Sequence, residues 1–152
     1  MSTIAKRVIW AGPADGSNDK PLKVEGIALS AATLPGTVVQ QVATGLQDNA
    51  QAATVFGQVL LVADKDEHRS RSVDDAWTQN ESMVAIQPRS GEFLNMLVAD
   101  GNDITSRGVA LTRNGAGLLT IAATDGSEEI VAYSDEIIDT TGADQLVHCK
   151  IA

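Results

Sequence analysis

The residues best placed for catalysis are His148 and Cys149, because a thiol nucleophile needs an imidazole base within hydrogen-bond reach. They lie in segment 145–151, whose alternating apolar and polar residues predict a β-strand. Successive side chains of a strand point to opposite faces, so the His148 ring should point away from the Cys149 thiol. We therefore predict that Cys149 is a small core residue on the face of Val147 and Ile151, and that His148 lies at the surface or at an interface.

The sequence contains no other recognisable catalytic or metal-binding pattern. Two widely separated histidines and one cysteine are too few for a zinc site. There is no Gly-x-Ser-x-Gly nucleophile elbow. The run Asp-Gly-Asn-Asp at 100–103 lacks the ligand spacing and closing glutamate of an EF-hand, so a hairpin turn explains it better. We expect a non-enzyme with no cofactor and no metal ion, and an active site assembled between subunits is the alternative.

One dipeptide suggests a different kind of chemistry. Asp64 and Lys65 follow an apolar segment that is predicted to be a strand, and they are similar to the Asp-Lys turn of lipoyl carrier domains, in which a lysine at a hairpin tip is modified. In that family a strand follows the lysine directly, whereas here a long polar stretch follows. A small β-barrel that carries a group on Lys65, or that holds a ligand in a cavity, is therefore the alternative function.

Composition excludes several classes of protein. The chain has 152 residues and is 43% hydrophobic but only 3% aromatic, which predicts an aliphatic core. A formal net charge of −9 and so few aromatic residues argue against nucleic-acid binding. A single cysteine cannot form a disulfide within the chain. No apolar run reaches membrane-spanning length and the N-terminus lacks a signal-peptide pattern, so we expect no membrane contact and no secretory export.

The spacing of apolar segments predicts an all-β fold. Segments of strand length are separated by turn dipeptides such as Asp100-Gly101 and Asn114-Gly115, which allow the positive φ angles of tight hairpins. This spacing is typical of a small β-barrel or sandwich, which we place at residues 24–152 as a single domain. Segment 46–54 fits a helical turn or a loop equally well. The predicted strands are 24–29, 37–42, 56–63, 84–87, 92–99, 108–113, 117–123, 129–133 and 145–151.

Residues 1–23 are predicted to form an extended N-terminal arm, because glycines and prolines interrupt any regular element there. The arm carries a net charge of +2 on a chain of net charge −9. It is therefore expected to lie along its own acidic body or to reach a neighbouring subunit. Its apolar residues, Ile4, Val8, Ile9 and Trp10, are unusual for a free tail.

Residues 64–82 form one long polar loop, and loops of this length in compact domains are usually functional or disordered. Trp77 is the one large apolar side chain in it. Two interpretations of Trp77 are open: an exposed anchor for a partner, or a side chain that folds back over one end of the barrel. The stretch 73–77 could also form a short helix.

The overall plan resembles the small capsid decoration (cement) proteins of tailed bacteriophages. The resemblance rests on a short arm interrupted by Gly and Pro, followed by an aromatic-poor β domain rich in Ala, Gly, Thr and Val. It is carried further by the final third of the chain, 108–115 and 132–136 through to the terminal strand 146–151. The match covers residues 24–152 and transfers no signature residue.

The resemblance implies a structural virion protein that binds the outside of an assembled capsid and stabilises the lattice of the major capsid protein. It also implies a homo-oligomer, a trimer rather than a dimer, located in the host cytoplasm during assembly and on the capsid exterior afterwards. We expect the contacts to come from apolar residues within polar segments: Ile4, Val8, Ile9, Trp10 and Trp77. Deletion of residues 2–12 is expected to abolish capsid binding and to leave the barrel folded.

Overall fold

The computed structural model describes residues 6–14, 20–50, 58–124 and 126–152. Within these ranges the protein has fifteen β-strands and no helix, which confirms the predicted all-β class. The strands are β1 (Trp10–Gly12), β2 (Leu22–Ile27), β3 (Ala32–Thr33), β4 (Val38–Val42), β5 (Gly45–Asp48), β6 (Leu61–Ala63), β7 (Trp77–Thr78), β8 (Ser82–Gln87), β9 (Phe93–Val98), β10 (Asp103–Ile104), β11 (Ala110–Arg113), β12 (Leu119–Ile121), β13 (Ala132–Ser134), β14 (Ile138–Asp139) and β15 (Gln145–Ile151).

Five strands of the larger sheet form a closed barrel in the order β9, β12, β11, β13 and β15. The ring closes because β15 pairs with β9 along nearly its whole length, from Gln145 opposite Val98 to Lys150 opposite Phe93. All neighbours in the ring are antiparallel except β12 and β9, which are parallel. The short strand β1 adds to β9 from outside the ring.

A second sheet has the order β2, β8, β6, β4 and β5, with every pair antiparallel. Its two edge strands come together where Ala28, just after β2, forms an isolated bridge with Leu46 of β5. Two short ladders, β3 with β7 and β10 with β14, complete the described structure.

The core is aliphatic, as composition predicted, and it extends across both sheets. Alternate residues of β9, Leu94, Met96 and Val98, are each fully buried inside the barrel. The same buried cluster includes Val38 and Ile86 of the second sheet. Each such side chain stabilises the fold by roughly 1.5–3 kcal/mol relative to exposure.

The two sheets meet through backbone contacts at Gly36. Its N–H donates to the carbonyl of Ala63 in β6 at 2.8 Å, and its carbonyl accepts from the N–H of Leu97 in β9 at 3.0 Å. The residue has a φ of +90°, and a Cβ there would lie 2.5 Å from the side chain of Leu146. Only glycine meets both conditions without strain.

Most predicted strands correspond to observed ones, and the differences have local causes. Segment 46–54 was ambiguous, and its first residues form β5, which pairs with β4 as a hairpin. The alternative of a short helix at 73–77 is wrong, because Ser72 and Asp75 close a turn through two hydrogen bonds and β7 begins directly afterwards. Residues 51–57, which include the start of the predicted strand 56–63, lie outside the described residues.

Candidate interaction surfaces

The described part of the N-terminal arm lies along its own chain. Trp10 is paired with Leu94 in antiparallel register. Asn95 holds the arm at two points, because its N–H donates to the carbonyl of Ile9 and its side-chain amide donates to the carbonyl of Val8, both at 2.7 Å. The sequence left two possibilities for the arm. Residues 6–12 take the first, because they lie along the body of their own chain.

Charge contributes to this placement as the sequence suggested. The Lys6 ammonium lies 2.8 Å from a carboxylate oxygen of Glu136. Lys65 donates from Nζ to the carbonyl of Arg7 at 3.1 Å. Partly exposed pairs of this kind contribute little individually, so the strand pairing and the apolar contacts hold the arm.

The apolar residues of the arm occupy different environments. Ile9 is 1% exposed and belongs to the barrel core, whereas Val8 is 43% exposed. Trp10 is half-buried against the core, and its indole Nε1 is buried without a hydrogen-bond partner in the described structure. Ile4 lies outside the described residues. Of the four arm residues predicted to contact a partner, Val8 and Trp10 therefore retain surface in the described structure.

Trp77 occupies the core of the second sheet. It is 2% exposed and packs in a buried cluster with Leu61 and Met83. Its Nε1 donates to the carbonyl of Asp64 at 2.7 Å, which fixes the long loop against the strand that precedes it. Trp77 thus takes the folded-back position, and its exposed area is too small for it to serve as an anchor.

A network of charges orders the rest of loop 64–82. The Arg71 guanidinium donates two hydrogen bonds to the carboxylate of Glu81, each of 2.9 Å, and Arg69 donates a third of 2.7 Å. The backbone N–H of Thr78 also donates to Glu81, at 2.8 Å. The hydrogen bond from Arg71, with the contribution of Thr78, lowers the pKa of Glu81 to about 2. The loop is therefore an ordered charged surface rather than a free segment.

The closed barrel presents a patch that sequence reasoning missed. Tyr133 of β13, Lys150 of β15 and Phe93 of β9 are cross-strand neighbours on its outer side. Tyr133 is 41% exposed, Lys150 is exposed, and the Lys150 ammonium lies 6.0 Å from the centre of the Phe93 ring. We call Phe93, Tyr133, His148 and Lys150 the outer aromatic face. Alternation within each strand indicates in the sequence that these side chains point outward. The sequence does not indicate the strand order that brings them together.

His148 connects this face to the arm. Its ring stacks on Phe93, and its Nδ1 lies 3.2 Å from the amide oxygen of Asn95, which also binds the arm. Its Nε2 lies 3.6 Å from a carboxylate oxygen of Asp135, and its backbone N–H donates to Glu136 at 2.7 Å. His148 is half-buried at the surface of the barrel, as the strand pattern predicted.

Cys149 confirms the core prediction. It is fully buried on the inner face of β15, opposite in direction to the imidazole of His148, and burial raises the pKa of its thiol above the usual range. The motif Asp-Gly-Asn-Asp at 100–103 is a turn, and Asn102 ties it to β12 by accepting hydrogen bonds from Thr120 and Ile121. Among the described residues, no three His, Cys, Asp or Glu side chains form a group that could hold a metal ion.

Lys65 does not occupy a hairpin tip. It is half-buried at the start of the long loop, and its ammonium is engaged with the arm at Arg7. The described part of the chain contains no helix with the length and apolar character of a membrane span. The chain matches no protein-family model, and no curated protein sequence matches it.

Proposed function

We propose that this protein is a structural virion component that binds the outer surface of a tailed-phage capsid and stabilises the lattice of the major capsid protein. It does so without catalysis, as a homotrimer. The observation that supports this most directly is the outer aromatic face, together with the arm that lies beside it.

The composition of this face is what a protein interface uses. Aromatic residues make up only 3% of the chain, yet Phe93 and Tyr133 lie on one exposed face of three adjacent strands. Aromatic side chains are enriched at the centres of interfaces because they bury large areas at a small entropic cost. Lys150 adds an exposed cation to this surface of an acidic protein.

The arm extends the same surface. Val8 is 43% exposed, and its carbonyl is bound by Asn95, whose neighbour across the strands is His148. We assign Ile4, Val8 and Trp10 of the arm, with the outer aromatic face, to the capsid contact.

Stabilisation then follows from linkage. A protein that binds only the mature lattice lowers the free energy of that lattice by RT ln(1 + [L]/Kd) at each site. A trimer would engage several capsid subunits at once, so its separate contacts would reinforce one another through effective concentration.

Co-sedimentation with empty heads of the phage that encodes the chain tests this function. Wild-type protein should pellet with the heads, and native mass spectrometry of the same sample should give a trimer of unmodified mass. Tyr133→Ala should weaken head binding without loss of fold, because the side chain is already 41% exposed. Ile27→Ala, which removes a 43% exposed apolar side chain from the second sheet, is the control and should bind normally.

A folded wild-type protein that ignores these heads would refute the proposal. A monomer with an added mass on Lys65 would favour the carrier alternative instead.

A further inference from the structure

Arg113 is an arginine at a buried position of the barrel. It is 6% exposed, at the end of β11 and on the same inward face as Leu111. Its Nε is buried and has no hydrogen-bond partner among the described residues. Burial lowers the pKa of its guanidinium, and only the charge of Glu129, an exposed residue, opposes this effect.

A buried guanidinium in this state is costly for the free protein. Removing a charge from water is unfavourable unless hydrogen bonds and an opposite charge replace the solvent. The planar fork of an arginine matches the two oxygens of a carboxylate, which it binds through two parallel hydrogen bonds.

The guanidinium borders a cleft of about 260 Å³ at the surface. Leu60, Pro88, Val131 and Ile151 contribute aliphatic side chains to a cleft whose lining is otherwise mainly polar. Gln58 also lines it, and its side-chain oxygen is a second buried polar atom without a partner in the described structure. The cleft therefore combines a guanidinium whose Nε is unpaired, an unpaired amide oxygen and several aliphatic side chains, and it is smaller than most drug-binding pockets.

We infer that this cleft binds a monocarboxylate whose carboxylate group is attached to a small aliphatic body. The carboxylate pairs with the Arg113 guanidinium, and the aliphatic part packs against Leu60 and Val131. A phosphate dianion fits less well, because Arg113 is the one cation among the lining residues and Glu129 is also among them. The site is independent of capsid binding, since neither the outer aromatic face nor the arm lines it.

The test is titration of the full-length, ¹⁵N-labelled protein with isovalerate, followed at the Nε–Hε signal of Arg113. Isovaleramide, which has the same shape without the charge, is the matched control ligand. Isovalerate should shift the Arg113 signal saturably, and isovaleramide should not. Acetate should bind more weakly than isovalerate because it lacks the aliphatic body. The peptide acetyl-Ala-Leu with a free carboxyl group distinguishes a polypeptide source of the carboxylate from a free acid. A site for a polypeptide should bind this peptide as tightly as isovalerate, whereas a site for a free acid should bind it more weakly.

Variants separate recognition from folding. Arg113→Gln should weaken isovalerate binding by about tenfold or more, because it removes the charged hydrogen bonds. Arg113→Lys should bind with intermediate affinity, since it keeps the charge and loses the fork. Arg107→Gln, which changes an exposed arginine, should bind like wild type.

Stability without ligand provides an independent readout. Arg113→Met keeps an unbranched stem and removes the unpaired charge, so its denaturation midpoint should equal or exceed that of wild type. A lower midpoint would mean that Arg113 is already satisfied in the free protein. That result, or an Arg113 signal that responds equally to isovalerate and isovaleramide, would overturn the site.

Discussion

Phe93 and His148 stack their rings almost in parallel across β9 and β15, with 5.5 Å between centroids and 4° between planes. Ring pairs with this separation contribute about 0.5–1.5 kcal/mol beyond the area that they bury. We therefore expect a coupling free energy of this size between Phe93→Leu and His148→Ala. The measurement is a double-mutant cycle of unfolding free energies from denaturant titrations at neutral pH.

A cycle between Phe93→Leu and Ile27→Ala serves as the control, because Ile27 lies on the other sheet. Those two changes should be additive. Additivity of the Phe93 and His148 changes as well would show that the stack contributes nothing to stability.

The loop network predicts a specific pH dependence. Hydrogen bonds from Arg71 and Thr78 lower the pKa of Glu81 to about 2, below its ordinary value of 4.5. A carboxylate with a lowered pKa in the folded state contributes stability above its unfolded pKa and loses it as the pH falls through its folded pKa. Glu81→Gln should therefore be less stable than wild type at pH 7. The difference should shrink between about pH 5 and pH 2.

Thermal unfolding of both proteins across this pH range measures the effect. Glu67→Gln is a suitable control, because Glu67 is an exposed carboxylate of the same loop. A constant gap between wild type and Glu81→Gln from pH 7 to pH 2 would contradict the linkage.

The fold class could be predicted from the sequence because it depends on local signals. Apolar alternation and turn dipeptides mark strands such as 145–151 without knowledge of their partners. The two-residue strands β3, β7, β10 and β14 could not be predicted in this way. They are too short to show a period, and they exist because distant segments meet, as when Ala32 pairs with Thr78.

The candidate surfaces were less predictable for the same reason. A lone Trp in a polar loop gives the same sequence pattern whether it is exposed or buried. The structure shows that Trp77 is buried and that its indole donates a hydrogen bond to the carbonyl of Asp64. The outer aromatic face depends on strand order, which places Tyr133 and Phe93 on either side of Lys150. Arg113 occupies an inward strand position that alternation would assign to an apolar residue.

The two tryptophans should respond differently to replacement by phenylalanine. In Trp77→Phe the buried carbonyl of Asp64 loses its donor, which should cost about 1–3 kcal/mol of unfolding free energy. In Trp10→Phe no hydrogen bond is lost, because the indole nitrogen has no partner in the described structure. Denaturant unfolding of both variants measures the difference, and each variant is the other's control. Equal losses would contradict the assigned hydrogen bond.

The junction at Gly36 should not tolerate a side chain. Gly36 and Gly101 have nearly the same φ, +90° and +87°, so alanine is strained similarly at both. A Cβ at Gly36 would meet Leu146 at 2.5 Å, whereas a Cβ at Gly101 would meet no atom within 4 Å. Gly36→Ala should therefore be less stable than Gly101→Ala by about 1–3 kcal/mol, which is the usual cost of overpacking. Equal unfolding free energies for the two variants would contradict the close contact between a Cβ at position 36 and the side chain of Leu146.

The arm has a structural role that the sequence did not reveal, and this changes how its binding role must be tested. Deletion of residues 2–12 would remove Ile9 from the core as well as any capsid contact, so a loss of binding could not be assigned to either cause. Point substitutions separate the two. Ile9→Ala should cost about 2–5 kcal/mol of unfolding free energy, because it leaves a cavity at a fully packed position.

Val8→Ala should stay within about 0.5 kcal/mol of wild type, since the side chain is 43% exposed. If the arm contacts the capsid as proposed, Val8→Ala should nonetheless weaken co-sedimentation with phage heads. The two assays run on the same preparations: denaturant unfolding for stability and sedimentation for binding. A Val8→Ala protein that keeps both wild-type stability and wild-type head binding would remove Val8 from the contact surface. The outer aromatic face would then have to account for binding without that side chain.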